Sequence, residues 1–105
     1  MKARIFGAGS IGNHLSNALR KFDYEVEVID IDKNALIRMR EDIYPSRYGL
    51  WDENIKLAEE PSPDYVDLEI IGTPPDTHAD ILINRINLKK AKFWLVEKPF
   101  TVPQI

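Results

Sequence analysis

The chain has 105 residues, 44% of them hydrophobic, a net charge of −3 and a sequence isoelectric point near 5.3. That length predicts one small domain with enough apolar content for a core, and the acidic balance argues against nucleic acid or an anionic membrane surface as the main partner. The absence of cysteine excludes disulfides and thiolate chemistry and makes a protein metal site an improbable reading.

The first strand is predicted over residues 2–7. An apolar run, Ala3 to Phe6 with one arginine in it, leads into the cluster Gly7-Ala8-Gly9-Ser10-Ile11-Gly12. A helix is predicted over 10–22, because Ile11, Leu15, Ala18, Leu19 and Phe22 recur at helical spacing. In a strand–turn–helix unit Gly7 permits the turn, Gly9 lets the backbone approach a bound group, and Gly12 lets the helix press on its strand. The first helical turn presents unpaired N–H groups at the positive end of the helix dipole. An anion, most simply a pyrophosphate, is stabilised there without a charged side chain.

After the link Asp23-Tyr24-Glu25, a second strand is predicted over 25–30. It ends at Asp30, eighteen residues past Gly12, close to the roughly twenty expected for an acid that hydrogen-bonds an adenosine ribose. A carboxylate accepts from both ribose hydroxyls and repels a 2′-phosphate, so NAD is expected over NADP. Asp32 is the predicted N-cap of a helix over 33–43. Leu36, Met39 and Ile43 line its buried face, Lys33, Arg38, Arg40, Glu41 and Asp42 its solvated one, and Pro45 its end.

Residues 44–64 carry the weakest pattern. Tyr44, Tyr48 and Trp51 are expected to pack under a loop, Arg47–Leu50 to form a short third strand, and Trp51, Ile55 and Leu57-Ala58 to sit on a short helix. Glu59 to Asp64 is a turn-rich acidic connector. A strand follows over 66–72. Glu69 interrupts it where a central parallel strand is usually apolar on both faces, so either that end is wet or a cation meets it. Thr73-Pro74-Pro75-Asp76 is a stiff turn. Asp76 or Thr77 is expected to cap a helix reaching about Asn87, with Thr77-x-x-Asp80 as a capping box and Ala79, Leu82, Ile83 and Ile86 buried. Lys89 to Lys92 is a basic, solvated link before a last strand over 93–96.

Strand–helix alternation of this kind predicts a three-layer α/β domain built on a doubly wound parallel sheet. With four or five strands where about six are usual, the sheet is expected to be incomplete and the chain a piece of a longer protein whose substrate domain lies elsewhere. The carboxyl ends of the strands share one edge, where open α/β sheets bind ligands. Gly9, Asp30, Thr73 and Lys98 are expected on that edge. Pro99 restricts Lys98 to an extended conformation, and an ammonium at such a point stabilises negative charge developing on an oxygen.

Gly72-Thr73-Pro74-Pro75-Asp76-Thr77-His78, Glu97-Lys98-Pro99 and the glycine turn together resemble the N-terminal Rossmann domain of the Gfo/Idh/MocA oxidoreductases, over nearly the whole chain and least over 44–64. The resemblance implies an NAD(P)-dependent enzyme acting on a sugar, sugar nucleotide or cyclitol. It implies that Gly7, Gly9, Ser10, Ile11 and Gly12 hold the pyrophosphate and Asp30 the adenosine ribose. Thr73, Pro74 and His78 then line the nicotinamide side. Glu97 and Lys98 sit beside the nicotinamide ribose and the substrate, with Lys98 as the catalytic cation. His78 also reads as a first-turn histidine that packs locally, and His14 as a partly exposed helix residue. The general base and most substrate contacts are implied to come from the second domain, and homo-oligomers fit the longer protein. This chain alone is expected to bind nucleotide without turnover.

Residues 4–40 also resemble the regulatory domains of the TrkA/RCK potassium-transport type, through Gly-Ala-Gly-x-Ile-Gly and Val-Ile-Asp-Ile-Asp. Those are nucleotide sensors, and they leave the Thr73-Pro74-Pro75 and Glu97-Lys98-Pro99 elements without a role. No apolar run approaches the roughly twenty residues that span a bilayer, and Met1-Lys2-Ala3-Arg4 enters a strand with no leader pattern. A cytoplasmic protein without membrane or nucleic-acid partners is the expectation.

Overall fold

The strand β1, Lys2–Phe6, is central because every side chain from Ala3 to Phe6 is buried. The computed structural model describes residues 1–72 and 75–96, with their side chains except those of 75–80 and 82. After β1 come α1 (Ser10–Lys21), β2 (Glu25–Ile29), α2 (Lys33–Arg38), a π-helical turn (Met39–Ile43) and α3 (Tyr44–Tyr48). Then follow β3 (Ile55–Ala58), β4 (Val66–Ile71), α4 (Pro75–Leu88) and β5 (Ala91–Val96). Among the described residues these strands form one sheet in the order β3-β2-β1-β4-β5, every pair parallel. The order reverses direction beside β1, so the sheet is doubly wound, as predicted. Among the described residues no helix is long and apolar enough to cross a membrane.

Alternation along the strands divides the core in two. On one face Ile5, Val26, Val28 and Ile70 pack with Ala35, Leu36, Met39 and Tyr44, joined by Leu15 and Leu19 of α1. On the other, Phe6, Ile29 and Ile71 pack with Ile81 of α4 and with Val96. Burying one such aliphatic side chain stabilises by about 1.5–3 kcal/mol. Right-handed crossovers account for the division. The chain steps one way from β1 to β3 and the opposite way from β4 to β5, so α4 lands on the far face.

That far face also carries a polar cluster, and it resolves the question of Glu69. Glu69 is fully buried, and Arg4 Nη1 donates to its Oε2 at 2.6 Å. Arg85 Nη2 donates to Oε2 at 2.5 Å and Trp94 Nε1 to Oε1 at 3.0 Å. Arg4 pairs with Glu27 as well and reaches the carbonyls of Ser62 and Asp64, fastening the β3–β4 connector to the sheet. Two arginines and two glutamates balance in charge. Burial pushes the Glu69 carboxyl up, but the bonds from Arg85 and Arg4 outweigh it and hold the pKa below its ordinary value.

Several expectations are corrected. The helix after β2 does not stop at Pro45. Tyr44 N–H bonds to Met39 O, an i−5 partner that opens the turn. The wider turn relieves the clash between the proline ring and the preceding turn, and the chain stays helical to Tyr48, where Gly49 at φ 94° ends it. Arg47–Leu50 is therefore a helix end, and the third strand is Ile55–Ala58, a segment expected to be helical. Four residues are too few for periodicity to decide, and the waiting edge of β2 decides instead, Val26 opposite Ile55. Tyr44, Tyr48 and Trp51 do pack together, with ring centroids 5.1 and 5.2 Å from that of Tyr44.

In α1 the fully buried residues are the small ones, Gly12, Asn13 and Ser16; Leu15 and Leu19 pack on the core while partly exposed, and Ile11 and the C-cap Phe22 are exposed. In α4 the helix begins at Pro75, ahead of both proposed caps. Ile83 and Ile86 face outward, and Arg85, 5% exposed, takes the inward position. The buried carboxylate of Glu69 selects a cation there, which an apolar helical pattern does not reveal. Asp32 caps α2 as expected, accepting from Asn34 N–H at 2.9 Å.

Candidate functional site

Hydrogen bonds carry the ladder one residue past the strand ends. Gly7 N–H donates to Ile29 O at 2.7 Å, Asp30 N–H to Ala58 O at 3.1 Å, and Gly72 N–H to Phe6 O at 2.8 Å. Gly7, Asp30 and Gly72 thus stand in a row on the carboxyl rim of β1, β2 and β4. A cavity of about 660 Å3 opens above them, lined by the glycine turn, by Asp30 to Asp32, and by Arg38, Ile43 and Ile81.

Gly7 has φ 117°, a conformation that a side chain strongly disfavours. Gly12 packs so closely that a Cβ there would lie 2.1 Å from Gly7 O. Gly9 differs. Its φ of −79° suits any residue, and a Cβ would meet no protein atom within 4 Å. The protein itself does not demand glycine at this point, whereas a group bound over the turn would.

Ser10, Ile11 and Gly12 open α1, and their backbone N–H groups have no partner among the described residues. No acidic side chain in the first turn competes for them. Ile11 is exposed, so it meets the rim through its backbone. Asn13, buried and not singled out from sequence, donates from Nδ2 to Gly9 O at 2.9 Å and to Ala8 O at 3.3 Å. Those bonds hold the turn's carbonyls back toward the helix. An asparagine directly after the third glycine was the available signal, but helical periodicity assigns that position no role.

Asp30 is half-buried. Its Oδ2 accepts from Ala8 N–H at 3.0 Å and its Oδ1 from Asp32 N–H at 2.9 Å. Each carboxylate oxygen keeps a lone pair for a further donor. Ile31 beside it is almost entirely exposed at the cavity edge.

The other expected site residues are less informative. Thr73, Pro74, Glu97 and Lys98 lie outside the described residues. His78 is in α4, and its side chain lies outside them too. What the structure does establish is that β5 pairs with β4 up to Ile71 opposite Val96. His14 is an exposed helix residue, as expected.

Over residues 1–104 the chain matches the family model GFO_IDH_MocA, described as an oxidoreductase family with an NAD-binding Rossmann fold. No curated protein sequence matches the chain. The residues present fit a dinucleotide. Three N–H groups without a partner among the described residues stand at the start of α1, the space over Gly9 is open, and a carboxylate on the neighbouring strand has acceptor capacity to spare.

Proposed function

The chain belongs to the Gfo/Idh/MocA oxidoreductase family, and from that premise we propose that it is the cofactor half of an NAD-dependent dehydrogenase acting on a hydroxyl of a sugar, sugar nucleotide or cyclitol. Bound nicotinamide supplies the hydride acceptor or donor. The N–H groups of Ser10, Ile11 and Gly12 hold the diphosphate, and Asp30 accepts from the adenosine ribose. Lys98, assigned by family resemblance, stabilises negative charge on the substrate oxygen and relays its proton. Glu97, Thr73, Pro74 and His78 line the nicotinamide side. A second domain supplies the general base and most substrate contacts.

The observation that carries this reading is the single rim shared by Gly7 and Asp30, with open space over Gly9 between them and the cavity. The family match runs through residues that the potassium-transport regulatory reading leaves unused. NADH and NADPH titrated against the chain by fluorescence or calorimetry provide the test. NADH is expected to bind more tightly, because Asp30 repels a 2′-phosphate. Equal or reversed affinities would remove Asp30 from the ribose.

A further inference from the structure

The π-helical turn at Met39–Ile43 has a second consequence. By widening the helix before Pro45 it redirects the residues that follow, so that Tyr44 enters the core and α3 lies beside α1. Arg47, at the end of α3, thereby crosses to the glycine turn. Its Nη1 donates to Ser10 Oγ at 2.9 Å, joining residues 37 positions apart. Arg47 is exposed, and it has no carboxylate partner among the described residues.

This is an unfavourable location for a cation standing alone. The start of α1 carries the positive end of a helix dipole, three N–H groups unpaired among the described residues, and no acidic side chain in its first turn. The buried and half-buried arginines each have an acid: Arg4 has Glu27 and Glu69, Arg20 has Asp52, and Arg85 has Glu69. Of the exposed ones, Arg40 lies 4.0 Å from Glu53, and Arg38, on α2, shares with Arg47 the lack of an acid among the described residues. A guanidinium at the positive end of a helix gains most when an anion sits between the two. Ser10 takes one of its five N–H donors and leaves four.

We propose that Arg47 is a phosphate-binding residue of the cofactor site, gripping the diphosphate from the side opposite the backbone N–H groups of α1. The inference rests on the dinucleotide reading and adds to it a charged contact that the glycine turn does not require. It assigns a role to the bend at Pro45: without the wider turn, residue 47 would emerge elsewhere on the helix.

The probes are NADH, ADP-ribose and adenosine, titrated into the wild-type chain and into Arg47→Ala and Arg47→Gln. Glutamine can still bond Ser10 and lacks the charge. Both variants are expected to keep the wild-type melting temperature and circular dichroism. Both are expected to lose on the order of tenfold in affinity for NADH and ADP-ribose, with adenosine unchanged. Added salt should weaken NADH binding more in the wild type than in either variant. Unchanged NADH affinity in both variants would overturn the role of Arg47 alone, as would an equal loss for adenosine. A wild-type chain that binds neither NADH nor ADP-ribose would overturn the dinucleotide reading and this inference with it.

Discussion

Asp30 accepts a hydrogen bond from the backbone N–H of Ala8 at 3.0 Å, so the acid that ends β2 also ties down the turn that ends β1. The carboxylate proposed for the ribose is part of the glycine turn's own architecture. Asp30→Ala is therefore expected to act before any ligand arrives. Loss of a charge-assisted bond should lower the stability of the ligand-free chain by about 1–2 kcal/mol, read by urea unfolding, and NADH affinity should fall as well. A ligand-free stability equal to wild type would mean that the Ala8 bond contributes nothing.

The glycines separate into those the fold needs and one, Gly9, that the fold does not need and the proposed dinucleotide would. Gly12→Ala forces a Cβ to within 2.1 Å of Gly7 O, and α1 must move off its strand. A loss of about 2–3 kcal/mol or more is expected from such overpacking. Gly9→Ala meets no protein atom. It should cost within about 1 kcal/mol, the scale of exchanging glycine for alanine at a helix N-cap, while sharply weakening NADH binding. Thermal melts and titrations of the two variants side by side decide it. Equal stability losses would contradict the assignment.

Glu69 carries a pH prediction. Its folded pKa lies below the ordinary value of 4.5, because Arg85 and Arg4 favour the carboxylate against its burial. A depressed folded pKa contributes stability that is complete above the unfolded value. It is lost as pH falls through the folded pKa. The wild type should therefore weaken steeply below about pH 4.5, and Glu69→Gln should flatten that slope. At neutral pH the same variant leaves Arg4 and Arg85 buried with one acid too few, an expected loss of about 3–5 kcal/mol. Urea unfolding from pH 3 to 7 provides the reading. An unaltered slope in Glu69→Gln would show that the acid sensitivity arises elsewhere.

How much was legible in the residues varied with the range of the interactions. Each strand that is buried along its length, and the turn Gly7 to Gly12, announced itself through local pattern and spacing. Asp30 was reached the same way, since a strand end at a set distance from a glycine turn is a one-dimensional feature. The third strand was not. Ile55–Ala58 is too short to carry a period of its own, and it exists because β2 offers an unpaired edge. Nor could the inward face of α4 be read, because the choice of Arg85 over Ile83 or Ile86 is made by Glu69, sixteen positions away along the chain.

By itself, then, the order of residues determined the α/β alternation, the parallel sheet, the glycine turn and the family. These follow from backbone preferences and burial repeated within a few turns or rungs. Only the folded chain decided that Pro45 bends a helix without ending it, that Arg47 meets Ser10, and that Arg4 and Arg85 both meet the buried Glu69. Such relationships join residues far apart in sequence. Their energy depends on distance in space, which no local period encodes.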